Sequence, residues 1–230
     1  MKQLCLCHLS RNSTRPLWLA MFLAMASLDC AGAQSIGGVK PSSRITVRVY
    51  RYADVSNRTL VQAEQETSRI FRQAGVELAW LDCPTSHAEE EEYPACEPLL
   101  GAMAVDLRIL PSSMAARIRS SAEELGVALA SARAGTASAG WVFYEHVKHL
   151  AESHIASDDL ILGLAIAHEI GHLLLGPHSH SPGGIMRANW DGKNLEEASR
   201  GKLLFTRRQA RLIRADAQER LAISEAGVRR

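Results

Sequence analysis

From Leu160 to Leu175 the chain reads LILGLAIAHEIGHLLL, a stretch that is apolar all round a helical wheel except at His168, Glu169 and His172. A helix apolar on every side is a buried one, so the rest of the fold has to enclose it. Ser157, Asp158 and Asp159 put N-cap chemistry and negative charge at its start. Gly176 and Pro177 end it, glycine by permitting a left-handed turn and proline by breaking the hydrogen-bond ladder. The pattern predicts a helix over about Leu160 to Leu175, and three ionisable groups must enter the core with it.

On such a helix His168 and His172 project from one face, one turn apart. A lone core histidine is commonly satisfied by one hydrogen bond. Two at this spacing, with a glutamate beside the first, carry a desolvation cost that calls for a compensating partner. Two readings compete: a zinc ion held tetrahedrally, and a metal-free network in which the histidines bond to one another and to the backbone. Zinc is the stronger, because Glu169 sits next to a ligand without being forced to bind and can take a proton from water polarised by the metal. Beyond the helix, PHSHSPGG reverses the chain, so that His178 or His180 can return to the first two imidazoles; Met186 follows within a few residues.

This run resembles the metzincin clan of zinc metalloproteases, whose pattern is H-E-x-x-H-x-x-G-x-x-H followed by a methionine turn. His168, Glu169 and His172 match its first part, His178 its third histidine, and Met186 its methionine. The glycine departs from the pattern, standing at Gly176 where the clan has it one place earlier, at the position of Leu175. One extra helical residue displaces the turn and makes His180 a rival for the third ligand. The segment HEIGHLLLG with HSPGGIM after it is also similar to a group of exported bacterial proteins of uncertain function, a comparison that favours His180 over His178. The resemblance implies an α+β, zincin-like fold: a twisted mixed sheet, a backing helix, the active-site helix, and a small C-terminal helical part after the Met-turn. It implies zinc on His168, His172 and His180 (or His178), Glu169 as general base, Met186 as a packing floor beneath the imidazoles, and a peptide or protein substrate. It further implies that the strand near Gly126 to Ser131 can hold an extended peptide. The clan's tyrosine beyond the Met-turn has no counterpart, since no tyrosine follows Tyr144. The alternative is an inactive metal-binding relative whose cleft serves as a binding or regulatory module.

Lys2, Arg11 and Arg15, an apolar stretch from Leu17 to Leu28, and Ala31-Gly32-Ala33 form the pattern of a secretory signal over 1–33, with Gln34 as the first mature residue. That stretch is short for a membrane span. The expectation is a secreted or periplasmic protein with no stable membrane insertion after cleavage. Cys83 and Cys96 then remain as an even pair in an oxidising compartment, where such a pair closes a disulfide around an acidic, proline-containing loop. Residues 34–230 suit one domain, with an upper part over about 44–176 and a lower part over about 177–230. A net charge of +1 and 5% aromatic residues argue against a nucleic-acid binder. Arg207, Arg208, Arg211 and Arg214 read as a solvated helix face.

Before the histidine helix, residues 35–43 read as a flexible lead. Ile45, Val47 and Val49 alternate as a strand with one buried face, and Leu60, Ala63, Thr67, Ile70, Phe71 and Ala74 recur at helical spacing up to Gly75. Val76 to Trp80 and Val105 to Ile109 read as strands, as do Gly126 to Ser131 and Trp141 to Glu145 on either side of a small-residue loop. After Met186, Trp190 to Lys202 reads as irregular, and Thr206 opens a last helix with a stripe of Leu212, Ile213, Ala217 and Leu221.

Overall fold

The alternation of Ile45, Val47 and Val49 becomes strand β1 (Arg44–Arg51) in the computed structural model, which describes residues 43–86, 93–96, 101–118, 124–129, 139–154, 156–176 and 178–228. All of these lie within the unit Val39–Arg230. The expected signal and lead, most of the acidic loop, the small-residue loop and Pro177 fall outside the described residues. Four further strands are β2 (Glu77–Cys83), β3 (Ala104–Leu110), β4 (Gly126–Leu129) and β5 (Ala139–Phe143). They form one sheet in the order β2-β1-β3-β5-β4, parallel throughout except that β4 runs antiparallel to β5 at the edge. The helices are α1 (Asn57–Ala74), the short α2 (Ser112–Ala115), α3 (Tyr144–His154), α4 (Asp158–Leu175), α5 (Gly192–Ser199) and α6 (Arg207–Val228). The architecture is α+β with a mixed sheet.

Helix α1 buries the six side chains that the helical spacing singles out. Its start is capped by Ser56, whose hydroxyl accepts from the Thr59 amide at 3.1 Å, and its end by Gly75 at φ 83°, ψ 27°. Against it lies α4, buried from Ile161 to Gly171 and again at Leu173 and Leu174. The two helices approach closely at Gly163, where a Cβ would stand 2.8 Å from the Ala63 carbonyl oxygen. Thr67 seals the crossing by donating to the carbonyls of both Ala63 and Gly163, each at 2.9 Å. One apolar cluster then runs from the sheet through α1 and α4 to Met186, Leu203, Phe205, Ile213 and Ala217. The C-terminal part therefore shares the core of the sheet.

Several local expectations are corrected. β1 is buried on both faces, because it is a central strand and Arg48 forms an ion pair at 2.7 Å with Asp106, its register partner on β3. The strand through Trp141 stops at Phe143, and Tyr144 opens α3, whose buried stripe is only Tyr144, Val147 and Ala151 in a stretch rich in polar residues. Residues 192–199 are helical, started by a capping box in which Asp191 and Asn194 bond reciprocally at 3.0 and 3.1 Å. Ser157 occupies the N-cap of α4 without a side-chain cap bond. On α6, Ile213 and Ala217 are buried as expected, but Leu212 is 49% exposed and the largest buried side chain is Arg220. Arg214 leaves the solvated face to donate to the Ala74 carbonyl at 2.7 Å, at the end of α1.

Glu64 on α1 gives the fold a pH dependence. Burial, with Asp82 adding to it and Arg51 opposing, pushes its carboxyl up to about 7 from 4.5. The folded chain thus holds a proton that the unfolded chain has released, so stability falls as pH rises through the window from about 4.5 to about 7. Glu64→Gln is expected to flatten that window and to raise the denaturation midpoint at pH 8 relative to the parent. Urea titrations at pH 5 and pH 8 measure both.

Candidate metal centre

The buried helix α4 carries His168 and His172 on one face, and the chain beyond it is bent so that His180 meets them. Gly176 makes the bend at φ 83°, ψ 179°, an extended conformation of positive φ open only to glycine rather than the expected left-handed helical turn. His178 is used in the turn itself at φ 58°, and its side chain is exposed. Ser181 then pins the loop, its amide donating to the Met186 carbonyl and its hydroxyl to the Gly183 carbonyl, both at 2.8 Å. The result brings three Nε2 atoms together: His168 to His172 at 3.0 Å, His172 to His180 at 3.1 Å and His168 to His180 at 3.3 Å. Among the described residues this is the one group of three or more histidine, cysteine or acidic side chains close enough to hold a metal ion.

Protons alone do not satisfy this triangle. Each edge would need one N–H facing one bare nitrogen, and three mutual neighbours cannot alternate in that way. The His168 Nδ1 must donate to the Ile185 carbonyl at 2.9 Å, because a carbonyl only accepts, so its Nε2 is bare. The Nδ1 of His172 lies 2.8 Å from the Ser179 hydroxyl, which can accept from it and so is compatible with a bare Nε2. Burial pushes His168 down to about 4, helped by His180 against the Ile185 bond. It pushes His172 down to about 3, helped by His168 and His180. Both rings are therefore neutral at pH 7 and offer lone pairs. Nitrogens bound at about 2.0–2.1 Å with tetrahedral angles stand about 3.3–3.4 Å apart, close to the observed triangle. The donor set fits a zinc ion, with a fourth position left over.

Glu169 lies beside the triangle, 4% exposed, under the sheet's edge. Its carboxylate rests against Gly126 of β4, where a Cβ would come within 2.7 Å of Oε1, so only glycine leaves it that place. Burial first, then the charge of Glu124, pushes its carboxyl up to about 8, so the site without a cation holds it protonated at pH 7, and a divalent ion on the triangle would draw it back towards the carboxylate that can accept a proton. Met186 is wholly buried and packs on α4 at Gly171, where a Cβ would come 2.6 Å from Sδ and 2.9 Å from a Phe205 ring carbon. It is not part of the nitrogen triangle.

Spacing did not point to three supporting side chains. Trp190 donates to the same Ile185 carbonyl as His168, at 3.1 Å, and meets the His168 ring edge to face at 5.7 Å. Ser179 orients His172. Gln209 of α6 donates to the Ser181 hydroxyl at 3.0 Å and to the Ser179 carbonyl at 3.4 Å, and accepts from the Thr206 amide at 3.0 Å, tying the loop to the last helix. Cys83 and Cys96 lie at disulfide distance, 2.06 Å between sulfurs, away from this centre at the end of β2. The triangle opens on a cleft of about 960 Å³ lined by β4, one stripe of α3, His178 and the segment from Arg187 to Trp190.

No family model matches the chain, and no curated protein matches it. Among solved structures, the chain is similar to a zinc-dependent peptidase from Methanocorpusculum labreanum, at 13% identity and a TM-score of 0.45, over 73% of this chain and 99% of that one. Any functional assignment rests on the centre's own geometry.

Proposed function

We propose that the protein is an exported, zincin-like zinc peptidase that hydrolyses peptide bonds with Glu169 as general base. The observation that carries this reading is the convergence of the His168, His172 and His180 Nε2 atoms, all within 3.0–3.3 Å, beside a buried carboxylate that borders an open cleft. Imidazole nitrogens suit zinc, and three protein ligands leave the position that a catalytic site needs. When bound, zinc supplies a Lewis acid that polarises a carbonyl and acidifies water. The chain does the rest. Among the described residues β4 is the edge strand of the sheet, and its outer side would offer backbone groups to an extended peptide, as an added strand. Glu169 takes the proton of the attacking water and returns it to the leaving amine. His178 is assigned to the rim, outside the ligand set. A disulfide-distance cysteine pair and the signal pattern over 1–33 support export. Among the described residues no helix is long and apolar enough to cross a membrane.

Elemental analysis of the purified protein should find about one zinc per chain, and a chelator should abolish cleavage of a mixed peptide library until zinc is restored. A protein that holds its zinc and leaves every peptide intact would instead be a binding module; one that takes up no zinc would return the histidines to a structural network.

A further inference from the structure

The cleft extends past the metal centre along α4 towards its N-terminus and ends against α3, the helix that periodicity does not predict. This end has an apolar body. Leu125, Leu150 and Trp190 wall it, and Ala165, one turn before His168 and Glu169, leaves room where a larger residue would fill it. It also has a polar end at His146 and His149, one turn apart on the face of α3 that lines the cleft. His146 is built into place. Its ring packs edge to face on Phe143 at 5.5 Å, and its Nδ1 lies 2.7 Å from the Glu124 carbonyl. A carbonyl only accepts, so that contact puts a proton on Nδ1, and in the neutral ring Nε2 is then the bare acceptor.

We infer that this end of the cleft is the side-chain pocket of the peptidase, and that it selects tyrosine. The inference rests on the peptidase reading for its substrate. An aromatic ring matches the Leu125, Leu150 and Trp190 walls. A phenolic O–H is the donor that an accepting Nε2 lacks. Phenylalanine fills the same walls but leaves that acceptor without a partner, whereas glutamate would set a carboxylate against a lone pair. A pocket built around a hydrogen bond to a hydroxyl discriminates against the isostere that lacks it.

The test uses three peptides identical except for Tyr, Phe or Glu at one position. They are bound at equilibrium to zinc-loaded Glu169→Gln protein and offered in parallel to the zinc-loaded parent for cleavage. The Tyr peptide is expected to bind about five- to tenfold more tightly than the Phe peptide and to exceed the Glu peptide by more. His146→Leu should erase the Tyr preference. His146→Gln, whose Oε1 can accept the same proton, should keep most of it, and zinc content reports that each variant has folded. Equal binding of Tyr and Phe, tighter binding of Glu, or a preference that survives His146→Leu overturns the pocket assignment. If the parent cleaves all three peptides alike, the pocket fails and the peptidase stands. If the parent cleaves none while the Tyr preference and its loss in His146→Leu are both seen, the pocket stands and the peptidase fails.

Discussion

Glu169→Gln is expected to keep the zinc and lose about 10²–10⁴ of the peptide-cleavage rate, the range that a positioned general base contributes. The substitution is close to isosteric, so the carboxamide can occupy the place against Gly126 that the carboxylate now fills. The nitrogen triangle is untouched, since none of its edges involves Glu169. What disappears is a carboxyl that burial pushes up to about 8 and that, in the proposed reaction, accepts the water's proton as its carboxylate. The loss should fall on kcat more than on KM, because the proton moves only during the reaction. Zinc content and steady-state rates on one peptide measure the two halves separately. A variant as active as the parent would remove Glu169 from the chemistry, and one that loses zinc as well would make it a structural support.

Arg220→Ala is expected to cost about 3–5 kcal/mol of stability, the penalty for breaking a buried ionic network by removing one partner. In a domain of this size that lowers the melting temperature by about 6–20 °C. Arg220 is 2% exposed, and its guanidinium serves three acceptors: Asp216 one turn back on α6, the Ala102 carbonyl at 3.1 Å before β3, and the Leu173 carbonyl at 3.2 Å in the last turn of α4. The alanine leaves two carbonyls without their donor and Asp216 without its cation, in a place where burial already pushes that carboxyl up. Arg220→Lys should recover little, because an ammonium on a flexible stem does not reproduce a planar fork. Leu173 follows His172 directly, so the same variant should also weaken zinc binding, because the turn that carries His172 loses a tie to α6. Thermal melts with and without excess zinc separate the two effects. A melting temperature within a degree or two of the parent would show that α6 is held by its apolar face alone.

The residues that were legible in the chain were those whose partners are close in sequence. The α1 stripe from Leu60 to Ala74 and its stop at Gly75 came out residue for residue. The buried character of α4 did too, because an apolar run has nowhere to go but inside. Misreadings arose where a distant partner decided the outcome. β1 looked half exposed until Asp106 arrived from β3 to neutralise Arg48. Arg214 looked solvated until α6 packed it on the end of α1. α3 is hard to read from periodicity because most of its surface is polar and its apolar stripe narrow; α5, by contrast, carries a local start signal, the Asp191–Asn194 capping box.

The same division holds at the metal centre. The pairing of His168 with His172 was determined by sequence alone, because 3.6 residues per turn place positions four apart on one face whatever surrounds the helix. The choice between His178 and His180 was not, and only the tertiary structure brings His180 to the other two. The path of that loop is set by the Ser181–Met186 bond, by Gln209 reaching in from α6 and by the Ile185 carbonyl that His168 and Trp190 share. Such contacts join segments that no local rule relates, so the third corner of the triangle exists only once the chain has folded around the first two.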